Sequence, residues 1–134
     1  MAYFNDEQDV YRYLGGVFRL ADEQPEVGPK LRAANITLQL NYSDPAASLT
    51  VRFQDPVEVV DGGQDEDADV KLSMPADVAN KYWRGEYNLA VGMAKGKVKA
   101  KGPVNKILKL VPLCKPLFPV YREMVADKDA AAVA

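Results

Sequence analysis

From Asn35 onward, apolar and polar side chains alternate one by one. Ile36, Leu38, Leu40 and Tyr42 point one way and Thr37, Gln39 and Asn41 the other, which is the period of a strand with one buried face. The turn NYSDPAAS interrupts the run, and Leu49, Val51 and Phe53 resume it against Thr50 and Arg52. After QDP, a third short strand carries Val57 and Val59 and ends at DGGQDED. A fourth sets Ala68, Val70, Leu72 and Met74 against Asp69, Lys71 and Ser73, and KVKAKG is the fifth. Short loops between consecutive strands predict antiparallel hairpins with one apolar and one polar face.

Helical spacing frames these strands. Asn5 and Gln8 form a capping pair, and Val10, Leu14 and Val17, with Tyr13 and Phe18 beside them, predict a helix through about Leu20. Gly15-Gly16 weakens it by about 1 kcal/mol per glycine unless something packs close. ADEQPEVGPK reads as a connecting loop. Pro75 opens the next helix, in which Val78 pairs with Tyr82 and Ala79 with Trp83 at i,i+4 before Gly85 stops it. EYNLAVGMAKG is a loop or a short helix. A last helical pattern follows Gly102-Pro103, with Val104, Ile107, Leu108 and Val111 on one side. Pro112, Pro116 and Pro119 predict that it breaks, each interior proline costing ~3 kcal/mol, and that it resumes over Leu117 to Val125. The element order predicts one α+β domain over residues 1–134: a five-stranded, antiparallel-type sheet with helices packed on one face. The ordered core is expected at 5–125, with ADKDAAAVA a frayed tail.

Composition narrows the chemistry. Among the 134 residues there is no histidine, which removes the commonest general base and nearly every catalytic zinc site. No apolar run approaches the ~20 residues of a membrane span. The start, MAYFNDEQDV, is too polar for a signal peptide, and the lone Cys114 suits a reducing compartment, so a cytoplasmic protein is expected. The formal net charge of -2 conceals a segregation: residues 1–79 carry 15 acidic and 6 basic side chains, whereas 80–122 carry 10 basic ones and only Glu86. Such asymmetry suggests a directional field and an anionic partner.

Most candidate sites resolve to ordinary structure. Asp65, Asp67 and Asp69 have the opening spacing of a calcium loop, but Val70 and Ala76 occupy the positions that need Gly and Glu, so no metal is expected. Cys114 lies among apolar residues and prolines and reads as an inert buried thiol. The ladder Lys95, Lys97, Lys99 and Lys101 has two readings. On an edge strand it deters pairing with another chain, or it meets an anionic membrane surface. Nucleic acid would call for interleaved arginines and stacking aromatics, and none is expected as a partner. Opposite the ladder, Val98 and Ala100 are small while the flanking elements are bulky. That combination either interlocks as a core or leaves an elongated apolar cavity.

ADVKLSM, PADVANKYWRG, GKVKAKG and PVNKILKL stand in an order and spacing that resembles the C-terminal half of the sterol carrier protein type 2 family. The earlier elements follow the same order, so the resemblance spans residues 5–125. It implies an apolar tunnel between sheet and helices, without a cofactor or covalent chemistry, that takes a sterol or steroid, a fatty acid or a fatty acyl-CoA. By position, Phe53, Trp83, Tyr87, Val91, Met93, Val98, Leu108 and Val111 would line it, with Leu117 and Phe118 at its mouth. Lys95 to Lys101 would meet a membrane or headgroup, and a homodimer is the remaining partner expectation. The proline-rich stretch 112–119 departs from the family's final helix, and the peroxisomal tail of some eukaryotic members is missing. Two rival readings use the same fold, an accessory or dimerisation module without ligand and a small enzyme acting on a hydrophobic substrate.

Overall fold

The alternating segments form one sheet in the computed structural model, which describes residues 3–133. Its strands are β1 (Ile36–Ser43), β2 (Ala47–Phe53), β3 (Glu58–Asp61), β4 (Val70–Pro75) and β5 (Lys99–Lys101), in spatial order β3-β2-β1-β4-β5. The sheet is mixed. β1–β2, β2–β3 and β4–β5 are antiparallel, as their short connections require, but β4 lies parallel to β1, with Leu40 beside Leu72 and Tyr42 beside Met74. A parallel neighbour needs a crossover rather than a hairpin. The acidic segment 62–69 supplies it by running from β3 across the polar face of β2 and β1.

That crossing explains a burial the alternation did not foretell. Gln39 and Thr50, partners across β1–β2, belong to the polar face yet are almost wholly buried. Thr50 Oγ1 donates to Gln39 Oε1 at 2.6 Å, Gln39 Nε2 donates to Gly63 O at 2.8 Å, and Asp65 N–H donates to Gln39 Oε1 at 2.9 Å. Asp65 also accepts from Arg52 and from Asp67 N–H, and Asp69 accepts from Thr37 N–H. Asp65 and Asp69, in the stretch expected to be a solvated turn, hold this crossover in place.

The other face carries the helices. α1 (Glu7–Val10), a π-helical segment (Tyr11–Gly15) and α2 (Gly16–Glu23) run continuously. Its N-cap is Asp6, accepting from Asp9 N–H at 3.0 Å, one residue beyond the expected Asn5. The paired glycines have the packing reason anticipated: a Cβ on Gly15 would sit 3.0 Å from Arg19 Nη1, and one on Gly16 2.9 Å from Met124 Cε. The expected loop at 21–30 hides the start of α3 (Gly28–Ala34), because a proline in a first turn sacrifices no helical hydrogen bond. α4 (Ala76–Trp83) ends at Gly85, whose φ of 80° lets its N–H reach Tyr82 O and that of Glu86 reach Lys81 O. α5 (Leu89–Ala94) is capped by Asn88. α6 (Val104–Cys114) carries Pro112 inside it and breaks only at a 3₁₀ turn, Lys115–Leu117, before α7 (Phe118–Met124).

The segment expected to fray is helical: α8 (Ala126–Val133). Asp129 binds Arg84 Nη2 at 2.9 Å and accepts from the Tyr3 hydroxyl at 2.5 Å, while Lys128 pairs with Asp9 at 2.9 Å. The two ends of the described chain are thus clasped to α4 and α1 by charge. Alanine-rich composition concealed this, because its partners are 45 and 119 residues away in sequence.

Two predictions follow from these contacts. Gln39→Leu leaves Gly63 O and Asp65 N–H without partners and lowers urea-unfolding stability by about 1–3 kcal/mol. The Arg84 hydrogen bond holds the Asp129 carboxyl below its ordinary range. Burial opposes ionisation of Asp9, but the Asn5 N–H and Lys128 outweigh it and leave that carboxyl low as well. Folded-state acidities depressed in this way stabilise the protein above the ordinary carboxylate range near ~4, and the contribution is lost as pH falls through the depressed values. Thermal melts should show this acid loss, and Asp129→Asn should be less stable at neutral pH with a shallower acid decline.

Candidate functional site

Inward side chains of β1, β2 and β4 face α2, α4, α5 and α6 across a narrow, partly enclosed space of about 60 Å³. Its floor includes Leu38, Leu40, Tyr42, Phe53, Leu72 and Met74, and its roof Phe18, Ala79, Trp83, Leu89, Ile107 and Leu110. Trp83 is fixed by edge-on contacts with Phe18 at 5.3 Å and Phe118 at 6.3 Å. The side of α6 that faces the space is Ile107, Leu110 and Cys114 at i, i+3 and i+7, with Val111 beside them. This corrects the expected stripe, since Leu108 is 41% exposed.

Outside this wall lies a second depression of about 550 Å³, lined by Tyr87, Leu108, Pro112, Lys115 and Phe118 among others. Tyr82, Leu89 and Val111 line both spaces. They are the wall between the narrow apolar interior and the wider groove. Prolines 112 and 116 lie in the segment that forms the groove's wall, where each removes a backbone donor and loosens the helix.

No Lys, Arg, Asp or Glu lines the interior; its titratable groups are Tyr42, Tyr82 and Cys114. Burial pushes the Cys114 thiol up to about 12 against a small lowering from the Tyr82 hydroxyl beside it. Burial also raises Tyr82, with Cys114 adding to it, and alone raises Tyr42. At neutral pH the cavity is therefore uncharged.

The residues named from sequence divide into three groups. Phe53, Trp83 and Val111 line the cavity, and Tyr87, Leu108, Val111 and Phe118 line the groove. Val98 and Leu117 are core residues outside both linings, Met93 is half-buried, and Val91 is 44% exposed on α5. Leu38, Leu40, Tyr42, Leu72 and Met74 were missed as cavity wall, although the strand alternation had already put them on the apolar face.

Lys95, Lys97, Lys99 and Lys101 are exposed at the β5 edge and join none of the ion pairs among the described residues. Lys99 lies opposite Ser73 and Lys101 opposite Lys71, and Lys97 and Lys99 border a hollow that Asn41, Ser73, Tyr42 and Met74 also line. The part of the ladder on β5, Lys99 and Lys101, therefore belongs to the sheet's polar side. The cation at the apolar groove is Lys115.

A family model described as the SCP-2 sterol transfer family matches residues 17–115. No curated relative matches the chain by sequence. Among solved structures, sterol carrier protein 2 from Yarrowia lipolytica, in its apo form, is 22% identical with a TM-score of 0.64, over 76% of this chain and 87% of that one. A protein described as the UbiJ-SCP2 ubiquinone synthesis protein is 22% identical with a TM-score of 0.58, over 77% and 88%. The inverting sec-alkylsulfatase Pisa1 from Pseudomonas sp. is 17% identical with a TM-score of 0.58, over 63% of this chain but 14% of the enzyme. The fold thus stands alone in some proteins and forms a minor part of at least one enzyme. Among the described residues no helix is long and apolar enough to cross a membrane.

Enclosure of Cys114 sets a reactivity test. The native protein should resist iodoacetamide at mildly alkaline pH and become alkylated at one site once unfolded, because the thiolate is the reactive form. Mass spectrometry over time reads both states.

Proposed function

Because the chain belongs to the SCP-2 sterol transfer family, we propose that it binds, and passes on, one hydrophobic molecule held between sheet and helices. Candidates are a sterol or steroid, a fatty acid or a fatty acyl-CoA. One observation carries the reading: a narrow apolar interior and a wider groove beside it share the wall Tyr82, Leu89 and Val111. Burial supplies the affinity, at about 0.8 kcal/mol for each methylene taken from water. The family's domains are generally non-catalytic lipid-binding modules, though some occur in enzymes, and this reading asks for no covalent step.

The interior of about 60 Å³ is well below the roughly 300–1,000 Å³ of small-molecule sites. Loading therefore parts α6 from α4 and α5 and merges the two spaces. Phe53, Trp83 and Val111 then meet the buried part of the ligand, and Tyr87, Leu108 and Phe118 the part lying in the groove. Lys115 is placed for an anionic end of a ligand at the groove. The ladder Lys95 to Lys101, set apart from the groove, serves instead to orient the protein on an anionic membrane surface in a cytoplasmic setting.

Denaturation in organic solvent followed by mass spectrometry should release a stoichiometric lipid, or the purified protein should take up a fluorescent acyl chain or sterol. An empty protein that takes up neither would leave the accessory-module reading in its place. Ala79→Leu projects a side chain into the cavity from α4. Uptake should fall at least about tenfold, equivalent to ~1.4 kcal/mol, while overpacking costs the fold about 1–3 kcal/mol. Ligand titration and denaturant melts separate the two effects.

A further inference from the structure

Four large apolar side chains are exposed among the described residues, and three of them, Val91, Val104 and Leu108, lie on α5 and α6. Single exposures of this kind are ordinary on a protein surface, but on α6 they fall into line. Val104, Leu108 and the exposed Pro112 recur at four-residue intervals, each about one turn after the last. Ile107, Leu110 and Cys114 occupy the inner side of the same helix. Leu108 and Pro112 also line the groove, together with Ala90, the neighbour of Val91 on α5. The surroundings are basic. No acidic side chain stands between Glu86, at the groove, and Glu123. Lys106, Lys109 and Lys115 are exposed on α6 and the turn after it, and they join none of the ion pairs among the described residues.

We propose that this stripe of α6, at the rim of the groove, docks on an anionic lipid bilayer. Val104, Leu108 and Pro112 enter the headgroup layer, and Lys106, Lys109 and Lys115 meet lipid phosphates. Exposed apolar side chains with lysines beside them on one helix are what such a surface binds, by burial and by charge together. The other occupant of an apolar stripe is a second copy of the chain. A two-fold contact there would set the lysines of α6 against the same lysines of the other copy, and like charges brought together at an interface cost affinity. A bilayer carries the opposite charge and asks for no matching shape. The contact itself requires no ligand. Its use, passing a guest between bilayer and groove without a journey through water, rests on the lipid-binding reading.

Sedimentation of the protein with vesicles tests the contact, using phosphatidylcholine alone and a roughly 3:1 mixture of phosphatidylcholine and phosphatidylserine. The wild type should bind the mixed vesicles at least about tenfold more tightly than the neutral ones, and the preference should fade as salt rises. Lys106→Gln, Lys109→Gln and Lys115→Gln together should weaken binding to the mixed vesicles by at least about tenfold, more than Lys97→Gln with Lys99→Gln. A polarity-sensitive dye gives a second measurement that leaves the lysines intact. Attached at Leu108→Cys it should shift to the blue on mixed vesicles. At Val60→Cys, an exposed position on β3, it should not, and the buried Cys114 takes up no dye. Equal binding to both vesicles, binding to neither, a greater loss from the β5 pair than from the α6 triple, or a silent dye at Leu108 would each overturn the docking surface alone. So would a dimer that Leu108→Ser disperses, read by sedimentation velocity, in a protein that binds no vesicle, which would give the stripe to a second copy. Vesicle binding as expected, by a protein that takes up neither a fluorescent acyl chain nor a sterol, would overturn the lipid-binding reading and leave the docking surface standing.

Discussion

A chain that crosses the face of a sheet must satisfy its own backbone there, and Gln39 is the side chain that makes this crossing workable. Its amide accepts from Thr50 and Asp65 N–H and donates to Gly63 O, so segment 62–69 lies over β1 and β2 without buried orphans. Only because the chain crosses there can β4 enter parallel to β1. That placement puts Leu72 and Met74 beside Leu40 and Tyr42 on the opposite face, and so assembles the cavity floor. A polar network on one side of the sheet thus positions the apolar site on the other.

Charge is sorted with the same economy. Arginines take part in five of the six ion pairs among the described residues, holding the acidic half of the sequence to the sheet and clasping α8 to α4. The lysines of β5 are left to solvent on an edge strand. The interior has no charge at all. These three zones keep charge out of the apolar interior and leave the lysines of β5 at the surface.

The roof above the cavity combines rigid and loose parts. α4 is pinned by Trp83 packing and by the Asn80–Arg84–Asp129 contacts. α6, by contrast, carries a proline and passes into a 3₁₀ turn. Interior prolines forfeit hydrogen bonds that would otherwise resist bending, so α6 resists bending less than an unbroken helix of its length.

Much of this was legible in one dimension. A period of two assigns Leu38, Leu40, Leu49, Phe53, Leu72 and Met74 to a buried face whatever their partners, because adjacent side chains on a strand must point oppositely. The prolines likewise located the break near 115, and the glycine at 85 ended α4. Strand order was not legible, since periodicity says which face a strand buries and nothing about its neighbour. The same limit hid Gln39, a polar residue buried by a loop 24 positions later, and α8, held by partners at the far end of the chain. Val91 and Val98 show it for the site: each is apolar, yet one is exposed and the other packs away from the cavity. The sequence by itself determined the elements and their apolar faces, because these follow from local geometry. Which faces meet, and how much space remains between them, was decided only by tertiary structure, because cavity walls are made by residues that local geometry never brings together.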